Sequence, residues 1–365
     1  MYRYFYLIIL SAVLWACSGT QSGTIANSSE PSRGREALKV EYAWTPENMM
    51  PFSSAHRSGL VDGKIFYIQD KPEEMTLQFT ELDGTPARAI TLPKGKGPGE
   101  VVYTVGVRFD QEKFYFMDTA LGRVSVFDRN GSYVDDYPMD AETGRIWKFD
   151  IFGGHMYFNS FAKERNLYKF DLSGNAIVKQ RGTGTKELPV NGDLFEGGGI
   201  EICPADGTIY YAYESFPVRI EEYNTDLELL RTFTRNDKGH KPMAWFITDR
   251  LADRHGDVAI TSFKVDENYL YMVNNGADYD NTAGRIGEVD LSVSVFDRKT
   301  GRYIKELTVE AMNNKTQYAS IIGVDKDHII LTTLAFEDEK ALDGLGLKMN
   351  GDSMLAFVVA ENPLY

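Results

Sequence analysis

The chain has 365 residues, of which 53 are acidic and 39 basic, giving a formal net charge of −14. That excess argues against a nucleic-acid partner and against adhesion to anionic headgroups. Only Cys17 and Cys203 are cysteines, so no disulfide framework is available, while 21 Tyr and 21 Phe against 4 Trp make a strand-prone composition.

In chain order, Arg3 is followed by an apolar run from Phe5 to Leu14 and by Ala16 before Cys17. The run is too short for a bilayer about 30 Å thick, which needs about 20 residues, so it reads as the h-region of a secretory signal. Leu14-Trp15-Ala16-Cys17 resembles a bacterial lipobox, with Cys17 as the acylated first residue of the mature chain, although Trp15 stands where a small residue is usual. The alternatives are an ordinary cleaved signal and an uncleaved anchor. Residues 1–16 are thus expected to be a lipoprotein signal peptide. Residues 17–36, rich in Ser, Gly, Thr and Asn without an apolar period, are expected to be a flexible tether. Residues 37–365 are the expected body.

Within the body one phrase recurs: VSVFDRNGSYVDDY from Val124 and VSVFDRKTGRYIKEL from Val293. Looser relatives begin at Leu77, Leu167 and Ile220. Each is an alternating apolar run, a turn rich in Asp, Asn or Gly, and a second alternating run, which is the pattern of an antiparallel hairpin. A more apolar pair of strands precedes each hairpin, beginning at Phe52, Thr104, Ile146, Gly198 and Ile260, and a sixth such pair begins at Tyr318. Four strands per unit, units of roughly 40 to 50 residues and no amphipathic helix predict an all-β fold, a six-bladed β-propeller with four antiparallel strands per blade. The last unit has a third strand in SMLAFVVA but no fourth, so ALKVEYAW from Ala37 is expected to supply it and close the ring.

Propeller geometry places strand 1–2 and 3–4 turns on one face, with strand 2–3 loops and blade-to-blade connections on the other. The first set is short throughout. The second holds every long excursion, at 181–199, 235–257 and 274–290. Loops beyond about 12 to 15 residues are usually functional or disordered, so a protein or glycan partner is expected at the long-loop face. Drift in tolerated surface loops is the bland alternative.

Lys94-Gly95-Lys96-Gly97-Pro98-Gly99-Glu100 is one blade-to-blade crossing. Phosphate cradling by Gly95, Gly97 and Gly99 is conceivable, but such a loop should open a helix and here a strand follows, so a structural crossing is favoured. This Gly-x-Gly-Pro-Gly-Glu turn, with the sixfold pattern and the lipobox, resembles the TolB-like six-bladed propeller lipoproteins of Gram-negative bacteria. The resemblance implies the fold, a lipid anchor in the cell envelope at the outer membrane, and by analogy a protein-interaction platform. It implies no catalytic residues.

Catalytic motifs are sparse. There is no Gly-x-Ser-x-Gly, no His-Glu-x-x-His and no paired Cys. Cys203, between Ile202 and Pro204, reads as a small buried hydrophobe. Asp278, Asp280 and Asn281 resemble the opening of a calcium loop without its Gly and Glu completion. His56 and Arg57 on the first inner strand could line the channel, and Trp147 and Trp245 could stack on a sugar or peptide side chain; packing is the competing role for each. The expectation is a non-catalytic binding scaffold without a cofactor. The alternative is a calcium-dependent hydrolase or lactonase with its site in the channel.

Overall fold

The computed structural model describes residues 23–46, 57–139, 146–160, 166–182, 198–214, 216–235, 237, 244–247, 252–257, 260, 262–275, 278–280, 285–286, 291–312, 318–336, 343–347 and 353–365. Three short N-terminal strands, β1 (Gly23–Asn27), β2 (Arg35–Ala37) and β3 (Val40–Trp44), precede the blades. Blade 1 contains β4 (Ser58–Val61), β5 (Lys64–Asp70), β6 (Glu74–Thr80) and β7 (Pro86–Pro93). Blade 2 contains β8 (Thr104–Asp110), β9 (Lys113–Asp118), β10 (Arg123–Asp128) and β11 (Tyr133–Pro138). Blade 3 follows with β12 (Ile146–Phe152), β13 (His155–Ser160), β14 (Asn166–Asp171) and β15 (Ala176–Gly182). Blade 4 is β16 (Gly198–Ile202), β17 (Ile209–Tyr213), β18 (Val218–Tyr223) and β19 (Leu229–Arg235).

After β20 (Ala244–Ile247) and β21 (Ala252–Asp257), blade 5 begins with β22 (Ser262–Val265) and β23 (Tyr269–Asn275). It is interrupted by β24 (Asp278–Asp280) and β25 (Arg285–Ile286), then resumes with β26 (Leu291–Asp297) and β27 (Tyr303–Thr308). Blade 6 has β28 (Tyr318–Val324), β29 (His328–Phe336) and β30 (Ser353–Glu361), and β3 is its outermost strand. Helix among the described residues is limited to two single 3₁₀ turns, at Glu310–Met312 and Asp343–Leu345.

The sixfold reading from the repeats is therefore correct, and so is closure by the N-terminus. β3 runs antiparallel to β30, with Ala43 opposite Val358 and Trp44 opposite Phe357. Burial follows the seams: six apolar clusters each join two neighbouring blades, and the sixth packs Ile65 and Tyr67 of blade 1 against Ile322, Ile330 and Phe357 of blade 6. A ring that buries one core per seam leaves no blade face wet. The Trp44 ring stacks on Phe357 at 4.5 Å, and its Nε1 donates to the Leu82 carbonyl of blade 1 at 3.0 Å. Gly84, at φ 87°, gives the indole room, since a Cβ there would lie 2.7 Å from it.

The repeated phrase has a mechanical reason. Asp128 and Asp297 cap their own turns by accepting backbone N–H bonds from Asn130 and Ser132, and from Thr300. The next residue is an arginine reaching back across a seam. Arg129 pairs with Asp62 in the strand 1–2 turn of blade 1, and Arg298 pairs with Asp206 in the corresponding turn of blade 4. The turn glycines, Gly131 and Gly301, then seat against Ile90 and Phe233 on the outer strands of those preceding blades.

Residues 23–36, the described part of the segment 17–36 expected from composition to be a flexible tether, include β1 paired parallel to β19 and, together with Ala37, β2 paired parallel to β27. Asn27 fixes this path by accepting from the Tyr303 amide at 2.9 Å and donating to the Gly301 carbonyl at 3.0 Å. Main-chain edge pairing needs no apolar side chains, so a polar composition does not forbid it. Residues 1–22, including the leader and Cys17, lie outside the described residues.

Two of the three long excursions meet. β20, β21, β24 and β25 form a separate four-stranded sheet in which Ala244 lies opposite His255, and His255 opposite Asp280. The connection between blades 4 and 5 and the strand 2–3 loop of blade 5 therefore share one face, as expected. Of the third excursion, 181–199, residues 183–197 lie outside the described residues.

Candidate functional site

The six innermost strands, β4, β8, β12, β16, β22 and β28, surround a cavity of about 420 Å³. Its lining reaches Asp62, Asp110, Phe152 and Pro204, so it extends to the short strand 1–2 turns, on the face opposite the long loops. Four consecutive blades place a charged side chain at equivalent positions in this wall, Arg108, Asp150, Glu201 and Lys264, and Asp62 and Asp110 add two carboxylates by the strand 1–2 turns of blades 1 and 2. In blades 1 and 6 the equivalent positions, opposite Phe66 and Ile330, are Gly59 and Gly323, while Leu60 and Ile322 pack in the seam between these two blades.

Each of the four equivalent charges sits between two apolar neighbours, in Val107-Arg108-Phe109, Phe149-Asp150-Ile151, Ile200-Glu201-Ile202 and Phe263-Lys264-Val265. Strand alternation turns the flanking residues into the seams and the middle one into the channel. The Glu201 Oε1 atom accepts from Lys264 Nζ at 2.7 Å and from Arg108 Nη2 at 3.4 Å. Arg108 Nε lies 3.6 Å from Asp150 Oδ1, and its Nη1 donates to the Val107 carbonyl at 3.0 Å. Asp150 also accepts backbone N–H bonds from Ile151 at 2.9 Å and Ile202 at 2.8 Å, the latter across the seam to blade 4.

Lys148, two residues before Asp150, is buried and lines a small neighbouring void together with Arg108, Glu201 and Lys264. Burial pushes its ammonium down to about 8, with Glu214 opposing and Arg108 reinforcing the shift. Burial, reinforced by the nearby Glu201 carboxylate, pushes Asp150 up to about 6 against the pull of Arg108 and Lys264. Perturbed groups converging on a cavity mark a candidate binding site.

The glycine turn at 95–100 closes on itself. Glu100 Oε2 accepts the Gly97 N–H at 2.6 Å, and Arg123 Nη2 donates to the carbonyls of Gly97 (2.6 Å) and Glu100 (2.8 Å). A Cβ on Gly95 would fall 2.0 Å from that carboxylate, and Gly99 has φ 74° beside Tyr133. The position an incoming anion would take is filled by the chain's own Glu100, which favours the structural crossing over phosphate cradling. Pro98 lies within this turn.

Of the other sequence candidates, Arg57 is buried and donates to Asp70 at 3.0 Å, with Lys94 pairing to the same carboxylate. Its guanidinium lies 5.8 Å from the Tyr103 ring centre, so it belongs to a local cluster at the start of blade 1. His56 and Asn281 lie outside the described residues. Trp147 is in β12 and Trp245 in β20, so their backbones belong to different sheets. Asp278 and Asp280 are in the extended strand β24, paired with β21, and not in a curled loop. Among the described residues, no group of three or more His, Cys, Asp or Glu could hold a metal ion, and no helix is long and apolar enough to cross a membrane. Cys203 is buried and unpaired in any disulfide; burial raises its thiol, and Arg298 Nη1 lies 2.9 Å from its sulfur.

No protein-family model matches the chain, and no curated protein matches it. Several solved structures have a similar backbone. One is a Bacteroides fragilis NCTC 9343 protein described as exported, with 11% identity and TM-score 0.54 over 93% of this chain and 99% of that one. A DUF4221-family member from Bacteroides vulgatus ATCC 8482 has 10% identity and TM-score 0.57 over 90% and 99%. The Neurospora crassa Pan2 WD40 domain has 9% identity and TM-score 0.50 over 92% and 98%. At these identities the likeness is one of fold.

Proposed function

We propose that the protein is an exported, lipid-anchored, TolB-like propeller that binds a protein partner in the cell envelope without transforming it. The leader with its lipobox supports export and acylation at Cys17, and the Bacteroides fragilis neighbour described as exported is in keeping with that reading. The observation that carries the binding reading is the sheet of β20, β21, β24 and β25. Two insertions from different parts of the chain pair with each other, and the sheet they form adds no strand to any blade. A sheet that the ring does not need for closure, on the face with the long loops, offers edges to which an extended segment of a partner can add.

The test replaces residues 244–257 and 278–286 with short Gly-Ser turns and compares crosslinked partners in intact envelopes. The partner captured by the parent chain, once purified, should bind the parent in isolation and fail to bind the variant, with thermal unfolding of the ring preserved. Equal binding by both chains would overturn the proposal. Capture that survives protease treatment of the envelope but not periodate oxidation would make the partner a glycan.

A further inference from the structure

We infer that the short-turn side of the ring, at the rim where blades 4 and 5 meet, is the side apposed to the lipid bilayer, so that the partner sheet points into the aqueous compartment. This rests on the acylation of Cys17 proposed above and adds the orientation that such an anchor imposes.

The register of β1 carries the inference. Gly23 lies opposite Arg231 and Asn27 opposite Arg235, with the two strands parallel. β19 begins at Leu229, directly after the strand 3–4 turn of blade 4, so the chain preceding Gly23 leaves past that turn. Side chains fix its level. Arg231 donates from Nη2 to the Arg298 carbonyl at 2.7 Å and from Nη1 to the Lys299 carbonyl at 2.6 Å. Arg298 in turn pairs with Asp206 in the strand 1–2 turn of blade 4. Gly23 is thus held on the short-turn side.

Tether length then decides between the two faces. Six peptide steps separate Cys17 from Gly23, and they reach at most about 20 Å when fully extended. To set the long-loop face against the bilayer, this segment must double back along β19 to the level of Arg235. That takes about 13 Å at a strand's rise of about 3.3 Å per residue. Only about 7 Å would remain to clear the insertions at 235–257 and 274–290. From the short-turn side no doubling back is needed.

The chemistry of this side agrees. Tyr365, half exposed, accepts from Asn268 Nδ2 in the strand 1–2 turn of blade 5 at 3.0 Å. An exposed aromatic ring with a polar tip suits the headgroup level. Charge adds no adhesion, since the turns here carry Asp62, Glu112, Asp206 and Glu267 against Arg129 and Arg298. The tether sets the orientation.

Resonance energy transfer from single-site labels to acceptor-labelled headgroups tests this, with the acylated full chain in phosphatidylcholine vesicles. With the Cys17 thiol acylated and Cys203 buried, labels attach at Glu267→Cys or at Lys96→Cys, both exposed positions. The first lies in the strand 1–2 turn of blade 5 and the second in the crossing on the long-loop face. A seven-residue strand such as β8 separates the two levels, about 23 Å, so transfer should be at least about twofold more efficient from Glu267→Cys. Inserting about 20 Gly-Ser residues after Ser18, with a root-mean-square span of about 25 Å, should erase the difference. Equal transfer in the parent tether, or greater transfer from Lys96→Cys, would overturn the orientation. A difference that survives the insertion would overturn the tether as its cause. A parent chain without acyl mass on Cys17 would instead remove the proposed anchor, and the orientation with it.

Discussion

Arg298 Nη2 lies 2.7 Å from Asp206 Oδ2, joining blade 5 to the strand 1–2 turn of blade 4. The same guanidinium donates to the Tyr210 hydroxyl (2.9 Å) and to the carbonyls of Asp266 (3.2 Å) and Glu267 (2.8 Å). Arg298 is 9% exposed, whereas the Asp206 side chain is 51% exposed. Removing the two partners should therefore have unequal effects. Arg298→Ala orphans several buried groups and should cost about 2 to 4 kcal/mol in chemical denaturation. Asp206→Asn should have a small effect at neutral pH. Against the push of burial, the Thr208 amide and Arg298 hold Asp206 down to about 2 from its ordinary 3.8. Its contribution is present above about pH 4 and fades towards pH 2, so the gap between parent and Asp206→Asn should close over that interval.

Closure of the ring depends on Trp44. Trp44→Ala removes the stack on Phe357 and the bond to the Leu82 carbonyl, and should cost about 3 kcal/mol, read as a lowered unfolding midpoint. Gly84→Ala should also destabilise, because its backbone is left-handed and the new methyl would meet the indole. Deletion of residues 40–44 should abolish the single cooperative transition, since it exposes the seam between blades 6 and 1.

The glycine crossing offers a double-mutant test. Gly95→Ala should destabilise by roughly 1 to 3 kcal/mol through overlap with the Glu100 carboxylate. In a Glu100→Ala background the overlap is gone, so the added cost of Gly95→Ala should shrink to a small fraction of that. Additive losses in urea denaturation would show that Glu100 does not occupy the cradle.

The channel should be visible in pH-dependent stability. A carboxyl whose folded value is raised to about 6 binds more protons folded than unfolded, so its effect on stability becomes less favourable as pH rises from about 4 to 6. Asp150→Asn can still accept the Ile202 amide and carries no charge. It should therefore raise the unfolding free energy above pH 6 by on the order of 2 kcal/mol and make little difference near pH 4.

The repeats made the architecture legible because each blade must alternate apolar residues and turn tightly, and the Asp-Arg-x-Gly turn that links blades was copied nearly unchanged. The candidate site was hidden for the same reason. Arg108, Asp150, Glu201 and Lys264 each occupy one polar position in an alternating strand, which by itself is indistinguishable from a solvent-facing residue. Only alignment of the inner strands by their distance from the strand 1–2 turn reveals a charge in the same place in four consecutive blades. β1 and β2 were hidden for a different reason: they hold the ring mainly by parallel main-chain pairing, and the isolated contacts of Ile25 and Asn27 leave no periodic pattern in GTIAN or REA. The pairing of the two excursions was equally out of reach, because β24 and β25 have three and two residues.

Hydrogen–deuterium exchange on the purified chain, with and without detergent-solubilised envelope proteins, addresses the partner surface most directly. Amides at 244–257 and 278–286 should become protected, while the strand 1–2 turns at 62–63, 111–112 and 153–154 exchange at unchanged rates. Protection confined to those short turns, or none at either face, would contradict a partner surface built from the two insertions.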